Sequence, residues 1–154
     1  MNTRKTWILI AAGGSLALML GALAFQHIGG MAPCKLCITQ RYPHVIAIVI
    51  GAIALALPRV PIMLLGAVCA AITSGHGFYH AGVERGIFEG PTSCTSGSIG
   101  NMSADELLNQ IMSAPLIRCD DIPWEMFGLS MAGWNAVISL GLCVAWLIAA
   151  TRKS

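Results

Sequence analysis

Charge is what this sequence has least of. Asp, Glu, Lys and Arg make up only 10% of its 154 residues, where a soluble domain carries about 25%. No acid stands before Glu84 and none after Glu125. The nine Lys and Arg never gather beyond the pairs Arg4-Lys5 and Arg152-Lys153. Without a basic cluster there is no footprint for nucleic acid. Internal repeats are absent, and so is any stretch that reads as a separate soluble module. What fills the chain instead is apolar: 56% of it is hydrophobic.

A bilayer core needs about 20 apolar residues per helix. Four segments meet that length or come near it. They are 7–26, 42–57, 61–80 and 131–150, each free of charge apart from Arg59 just outside. The second is shorter than the others and can extend back through Cys37 and Cys34. The expectation is an all-α membrane protein, a four-helix transmembrane bundle forming one domain over residues 1–154. The beginning admits a second reading. Arg4-Lys5, an apolar stretch and Ala22-Leu23-Ala24 have the order of a signal peptide. The stretch is about 19 residues long against the usual 7–15, which favours a retained helix.

Orientation follows from the density of Lys and Arg at the ends of the spans. Arg4, Lys5, Arg59, Arg152 and Lys153 crowd into short pieces at one end. Lys35, Arg41, Arg85 and Arg118 are spread over much longer loops at the other. Both termini are therefore expected in the cytoplasm, with outer loops at about 27–41 and 81–130. The second loop contains Ser103 and Glu106 in the spacing of a capping box. Leu107, Leu108, Ile111 and Met112 then share a face up to Pro115. This predicts a short helix, lying either in the membrane interface or on the outer ends of the spans.

Four of the six cysteines fall in those outer loops. Cys34 and Cys37 form a C-x-x-C at the start of an apolar segment. A helix N-terminus there lowers a thiol's pKa and favours thiolate, the nucleophile of disulfide exchange. Cys94 and Cys119 bracket the polar middle of the second loop, which is rich in Gly and Ser around Cys94. Two thiol pairs facing one compartment can pass a disulfide between them. The blander readings are structural disulfides or half of a zinc site. The second pair lacks close zinc spacing, and an oxidising compartment favours disulfides. Cys69 and Cys143 lie mid-span and read as small packing residues.

Arg41 lies four residues beyond Cys37, one helical turn away. It is either an anchor reaching for headgroups or a cation beside a redox thiolate and an acceptor that turns anionic on reduction. His76 and His80 are four apart, Glu84 continues the His80 face, and His44 lies near the outer end of its segment. These are ligand candidates or simply hydrogen-bonded polar groups.

Three stretches together resemble the disulfide bond formation protein B family (DsbB). The first runs from Cys34 to His44 (CKLCITQRYPH). The second runs from Phe78 to Glu84 (FYHAGVE), with Gly90-Pro91-Thr92-Ser93-Cys94 after it. The third runs from Cys119 to Asn135 (CDDIPWEMFGLSMAGWN). Glu84 stands where the family often has Gln. The resemblance implies a quinone-dependent thiol oxidase of the bacterial inner membrane, a transmembrane enzyme with its redox loops in the periplasm. Its partner would be a soluble DsbA-type oxidoreductase, and its acceptor ubiquinone or menaquinone. Carried onto this chain, Cys94 takes the mixed disulfide with the partner. Cys119 then exchanges with Cys34, and Cys37 faces the quinone with Arg41 beside it. His80 and Glu84 are further candidates for the quinone pocket, and no metal is implied. Two alternatives remain: a thiol–quinone enzyme of the vitamin K epoxide reductase type, and a non-enzymatic membrane subunit braced by disulfides.

Overall fold

The computed structural model describes residues 3–91, 103, 105, 108, 109, 112 and 117–152. Four long helices dominate: α1 (Thr3–His27), α2 (Lys35–Ala56), α3 (Val60–Glu84) and α4 (Met131–Thr151). All four are long and apolar enough to cross a membrane, so the expected four-helix bundle is what the chain forms. Their outward faces expose Leu20, Val49, Leu65, Val68 and Leu140 among many other large apolar residues. In water such a surface would aggregate; in hydrocarbon it is the matched one, because each helix satisfies its own backbone.

The helices pack in chain order as a closed ring, with α1 on α2, α2 on α3, α3 on α4 and α4 back on α1. Hydrophobic burial cannot drive helices together inside lipid, so close approach through small residues takes its place. The interior is accordingly built of Ala11, Ala54, Ala67, Ala70, Ala145 and Ala149 around the fully buried Ile8, Met63 and Trp146. Gly66 lies flat against Trp146, where an added Cβ would come within 2.5 Å of the indole.

Gly77 is the tightest crossing near the outer end of the bundle. A Cβ there would meet the Ala132 carbonyl oxygen and the Ala136 nitrogen at 2.9 Å, both of them backbone. Gly75, two residues earlier on the same helix, has nothing within 4 Å. Gly77→Ala should therefore destabilise the bundle by about 1–3 kcal/mol, since overpacked backbone must shift. Gly75→Ala should be neutral or slightly stabilising, because Ala is the better helix former. Thermal unfolding in detergent measures both, and equal melting temperatures would contradict this packing.

The helix ends explain where the spans start and stop. α2 begins earlier than the uncharged stretch, at Lys35, because the Cys34 sulfur caps it by accepting from the Cys37 amide at 3.1 Å. Pro43 lies within the helix without ending it; its missing N–H costs a single backbone bond. α4 begins at Met131 because the Ser130 hydroxyl accepts from the Gly133 amide at 3.1 Å. Just before it, β1 (Glu125–Met126) and β2 (Leu129–Ser130) form a two-rung antiparallel hairpin. Phe127 and Gly128 turn it, both with positive φ, as a two-residue hairpin loop requires.

At the opposite end, Arg4 donates to the Arg152 carbonyl at 2.6 Å and to the Pro58 carbonyl at 3.1 Å. One guanidinium thus ties together α1, the α2–α3 turn and the end of α4. The basic residues Arg4, Lys5, Arg59 and Arg152 share this end, and Cys34, Cys37 and Cys119 share the other. The helix expected at 103–112 falls mostly outside the described residues. Asp105, Leu108, Asn109 and Met112 are helical, and Leu108 and Met112 are exposed.

Candidate functional site

The N-terminus of α2 sets the site. Cys34 stands at the cap position and Cys37 in the first turn, so the C-x-x-C spacing brings their sulfurs within 2.7 Å, with the Cys34 thiol donating to Cys37. Both are free thiols in this structure. That hydrogen bond, together with burial of the Cys34 sulfur, pushes the Cys34 thiol well above the usual range. Of the two, Cys34 is therefore the thiol that gives up its proton less readily.

Cys119 is disulfide-bonded, fully buried and packed directly on Cys34, with Leu36 and Cys37 alongside. Cys94 lies outside the described residues. The turn carrying Cys119 is braced by its neighbours. Arg118 clamps Asp120 with two hydrogen bonds, Nε to Oδ1 at 3.0 Å and Nη2 to Oδ2 at 2.5 Å. The same clamp holds the Asp120 carboxyl below its ordinary range.

From α3, His80 reaches this cluster. Its Nε2 lies 3.6 Å from the Cys34 sulfur, 3.2 Å from the Cys119 carbonyl oxygen and 3.7 Å from Glu84 Oε1. His80 and Glu84 are both buried, and among the described residues no hydrogen bond to Glu84 Oε2 is formed. His76, a turn earlier, is exposed. The two histidines therefore do not act together. The ligand atoms of Cys34, Cys37 and His80 lie within 4.8 Å of one another, a spacing that would suit a metal ion.

Behind His80 stands a set of polar side chains that sequence reasoning did not single out. Gln40 Nε2 contacts His80 Nδ1 at 2.9 Å and donates to the Leu36 carbonyl at 3.1 Å. Asn135 on α4 donates to Gln40 Oε1 at 2.7 Å, and Asn135 Oδ1 contacts His44 Nε2 at 2.9 Å. The available signal was polarity alone. A Gln, an Asn and a Thr within apolar spans must find partners inside the bundle.

A cavity of about 650 Å³ opens beside the thiols, within the size range of a small-molecule site. Cys34, Cys37, Arg41, His44, His80 and Glu84 form its polar side, and Leu18, Ala22, Phe25 and Ile138 are part of its apolar wall. Arg41 donates to Gln26 Oε1 on α1 at 2.7 Å, which holds its guanidinium in the cavity wall instead of at the surface. The structure thus brings Cys34, Cys37, Cys119, Arg41, His80 and Glu84 to one place.

Cys69 and Cys143 are elsewhere, half-buried in α3 and α4, and free; Cys143 packs on the bundle core. Replacing both with Ala should leave thiol turnover within a few-fold of the parent, at a packing cost of about 1 kcal/mol per site. A folded double variant without turnover would assign one of them to electron transfer.

Comparison with known proteins identifies the family. The model of the family described as "Disulfide bond formation protein DsbB" matches residues 4–149. A Disulfide bond formation protein B from a Shewanella species is 30% identical over 96% of this chain and 86% of its own length. Disulfide bond formation protein B 2 of Pseudomonas aeruginosa is 31% identical over 99% of this chain and 91% of its own. No solved structure matches the chain.

Proposed function

The chain belongs to the disulfide bond formation protein DsbB family, and on that premise we propose that it oxidises a soluble DsbA-type dithiol protein and passes the electrons to membrane quinone. The observation that carries this reading is the packing of buried Cys119 on Cys34, with Cys34 and Cys37 paired in the wall of one cavity.

The steps follow from access. Cys119 has no exposed surface, so a partner's thiolate cannot reach it; attack falls on the sulfur bonded to it, proposed as Cys94. That bond breaks as the Cys94–partner disulfide forms, and Cys119 leaves as thiolate. Cys119 lies against Cys34 and attacks it in the oxidised Cys34–Cys37 pair, releasing Cys37 as thiolate. The partner's second thiol then displaces Cys94, and the partner departs oxidised; the freed Cys94 thiolate attacks Cys119 in the Cys119–Cys34 disulfide, restoring Cys94–Cys119 and releasing Cys34, so both electrons rest on the Cys34–Cys37 dithiol.

The cavity fits a quinone in size and in lining: an apolar wall for the ring and tail, with Cys37, Arg41 and Glu84 at the polar end, the Glu84 Oε2 forming no hydrogen bond among the described residues. Bound there, a quinone supplies an acceptor for two electrons and two protons. Cys37 presents the electron-rich sulfur, and Arg41 offers a fixed positive charge to it and to a developing oxyanion. His80 and Glu84 sit where protons must pass. In this reading the protein is a multi-pass protein of the bacterial inner membrane with the thiols in the periplasm.

Anaerobic mixing of the purified protein with a reduced DsbA-type partner and either ubiquinone or menaquinone tests the activity. Quinone absorbance should fall as one partner disulfide forms per quinone reduced. Disulfides that merely brace a loop would leave the absorbance unchanged and refute the proposal. For orientation, a membrane-impermeant thiol reagent applied to reduced intact cells should label Cys37 and Cys94, and Cys34 and Cys119 more slowly, as reduction opens their packing. Labelling from outside of a cysteine introduced at Arg152 would invert the topology.

A further inference from the structure

The buried polar side chains behind Cys34 form a line of hydrogen bonds, and the direction of each one can be fixed from its neighbours. Thr73 donates its hydroxyl proton to the Gln40 backbone carbonyl at 3.0 Å. Toward Asn135, at 3.4 Å, its oxygen can therefore only accept. That makes the Asn135 atom beside it the NH₂ group, and leaves Asn135 Oδ1 facing His44 Nε2, which must carry its proton. The Gln40 amide is fixed as well. The atom 3.1 Å from the Leu36 carbonyl has to be the NH₂, and the same atom touches His80 Nδ1. His80 Nδ1 is thus an acceptor. On the other side of the ring, Nε2 faces a carbonyl oxygen, a sulfur and a carboxylate oxygen, all of which want a proton from it. Both sides of the imidazole demand the same tautomer, neutral with hydrogen on Nε2.

Read in sequence, every bond points the same way. His44 donates to Asn135, Asn135 to Gln40 and Gln40 to His80; the His80 Nε2–H is shared between the Cys119 carbonyl oxygen at 3.2 Å and the Cys34 sulfur at 3.6 Å, and Cys34 donates to Cys37. Aligned hydrogen bonds polarise one another, more so in a low-dielectric interior. We propose that Gln40, Asn135 and Thr73 are positioning residues that lock His80 as an Nε2–H donor, so that a one-way hydrogen-bond chain ends on the Cys37 sulfur and stabilises it as thiolate.

The proposal deepens the thiol–quinone reading and rests on it for its purpose, but not for its geometry. It also explains why three ligand atoms at metal-binding distance need not hold a metal. Coordination uses a bare imidazole nitrogen, and here Nε2 is the protonated one. Binding there would force the proton onto Nδ1, against the Gln40 NH₂. A Cys34 thiol that gives up its proton less readily than Cys37 has the polarity the chain requires.

Other groups also act on Cys37, so the test must isolate the chain. Cys34, Arg41 and His44 line the cavity beside it from α2, and His80 and Glu84 from α3. Arg118 and Asp121 line the same cavity from the outer loop, while α1 and α4 bring no titratable group to it. Substitution of the uncharged Gln40 or Thr73 leaves all of these in place.

Two measurements on the full chain decide the matter. In protein labelled with ¹⁵N histidine, His80 should show a protonated Nε2 and an unprotonated Nδ1. In the reduced protein, site-resolved alkylation against pH gives the midpoint at which Cys37 becomes thiolate. Gln40→Met, which removes the amide at similar volume, should mix the His80 tautomers. It should raise the Cys37 midpoint by about one pH unit, roughly a tenfold loss of thiolate at a fixed pH below it. Thr73→Val, a milder change that guards against misfolding of the first variant, should shift the midpoint in the same direction by less. A wild-type His80 protonated on Nδ1, or a midpoint unmoved in a folded variant, overturns the proposal. Quinone reduction by the wild type is scored separately. Its absence, with tautomer and midpoint as expected, would refute the function and leave the chain standing.

Discussion

Cys119→Ser should turn the protein from a catalyst into a trap for its partner. Without Cys119 the Cys94 thiol has no disulfide partner in the chain; its thiolate attacks the disulfide of an oxidised partner, forming the Cys94–partner disulfide and releasing the partner's second thiol, and no Cys119 is present to reclaim Cys94. Cys119 is also the sole sulfur packed on Cys34 among the described residues outside α2. A hydroxyl in its place cannot form a disulfide, so electrons have no route to Cys34 and Cys37. Turnover should fall by about a thousandfold or more, the scale of removing a nucleophile from a catalytic unit. Incubated with oxidised partner, the variant should accumulate a covalent 1:1 adduct sensitive to reductant that runs as a shifted band on a non-reducing gel. Cys94→Ser should lose turnover equally but form no such adduct. The reverse pattern, with trapping in Cys94→Ser, would mean that the buried Cys119 is the entry point and that the loop opens far more than its packing implies.

The sequence made some of this legible and concealed the rest for physical reasons. Uncharged runs of 20 residues have few fates, so α1, α3 and α4 could be read nearly to their ends. For α2 hydropathy sets a core from Tyr42 to Leu57, because Lys35, Gln40 and Arg41 dilute it before that, and leaves room for extension back through Cys37 and Cys34, which the helix makes. The helix starts seven residues before Tyr42 because a cap and backbone bonds, not hydropathy, decide where helices begin. The Cys34–Cys37 contact and the Arg41 turn were local spacings and survived. His76 and His80 share a helical face on paper, but their small angular offset is enough to put one outside and one inside. Gln40 and Asn135 were invisible as a pair. They are 95 positions apart, and their meeting depends on α2 and α4 both presenting polar side chains to the same interior. The cavity was likewise beyond reach, since its walls come from α1, α2, α3, α4 and the outer loop.

Arg41→Ala should separate the quinone end of the enzyme from the partner end. The guanidinium is held in the cavity wall by its 2.7 Å bond to Gln26, in the same cavity as Cys37. Its charge persists at any working pH, so it stabilises whatever negative charge develops there. A hydrogen bond to a charged group contributes about 1.5–3 kcal/mol, so kcat/KM for quinone should fall about 10- to 100-fold. Formation of the mixed disulfide with the partner should stay near the parent rate, because the cysteines and the Arg118–Asp120 clamp are untouched. Arg41→Lys should recover only part of the loss. A single ammonium cannot both reach Gln26 and present a planar set of donors to the cavity. Gln26→Ala should weaken quinone kinetics in the same direction and by less, since it frees the guanidinium without removing its charge. Steady-state kinetics with varied quinone at saturating reduced partner reads all three variants. Unchanged quinone kinetics in Arg41→Ala would return this residue to the role of a surface anchor and move the acceptor site away from the cavity beside Cys37.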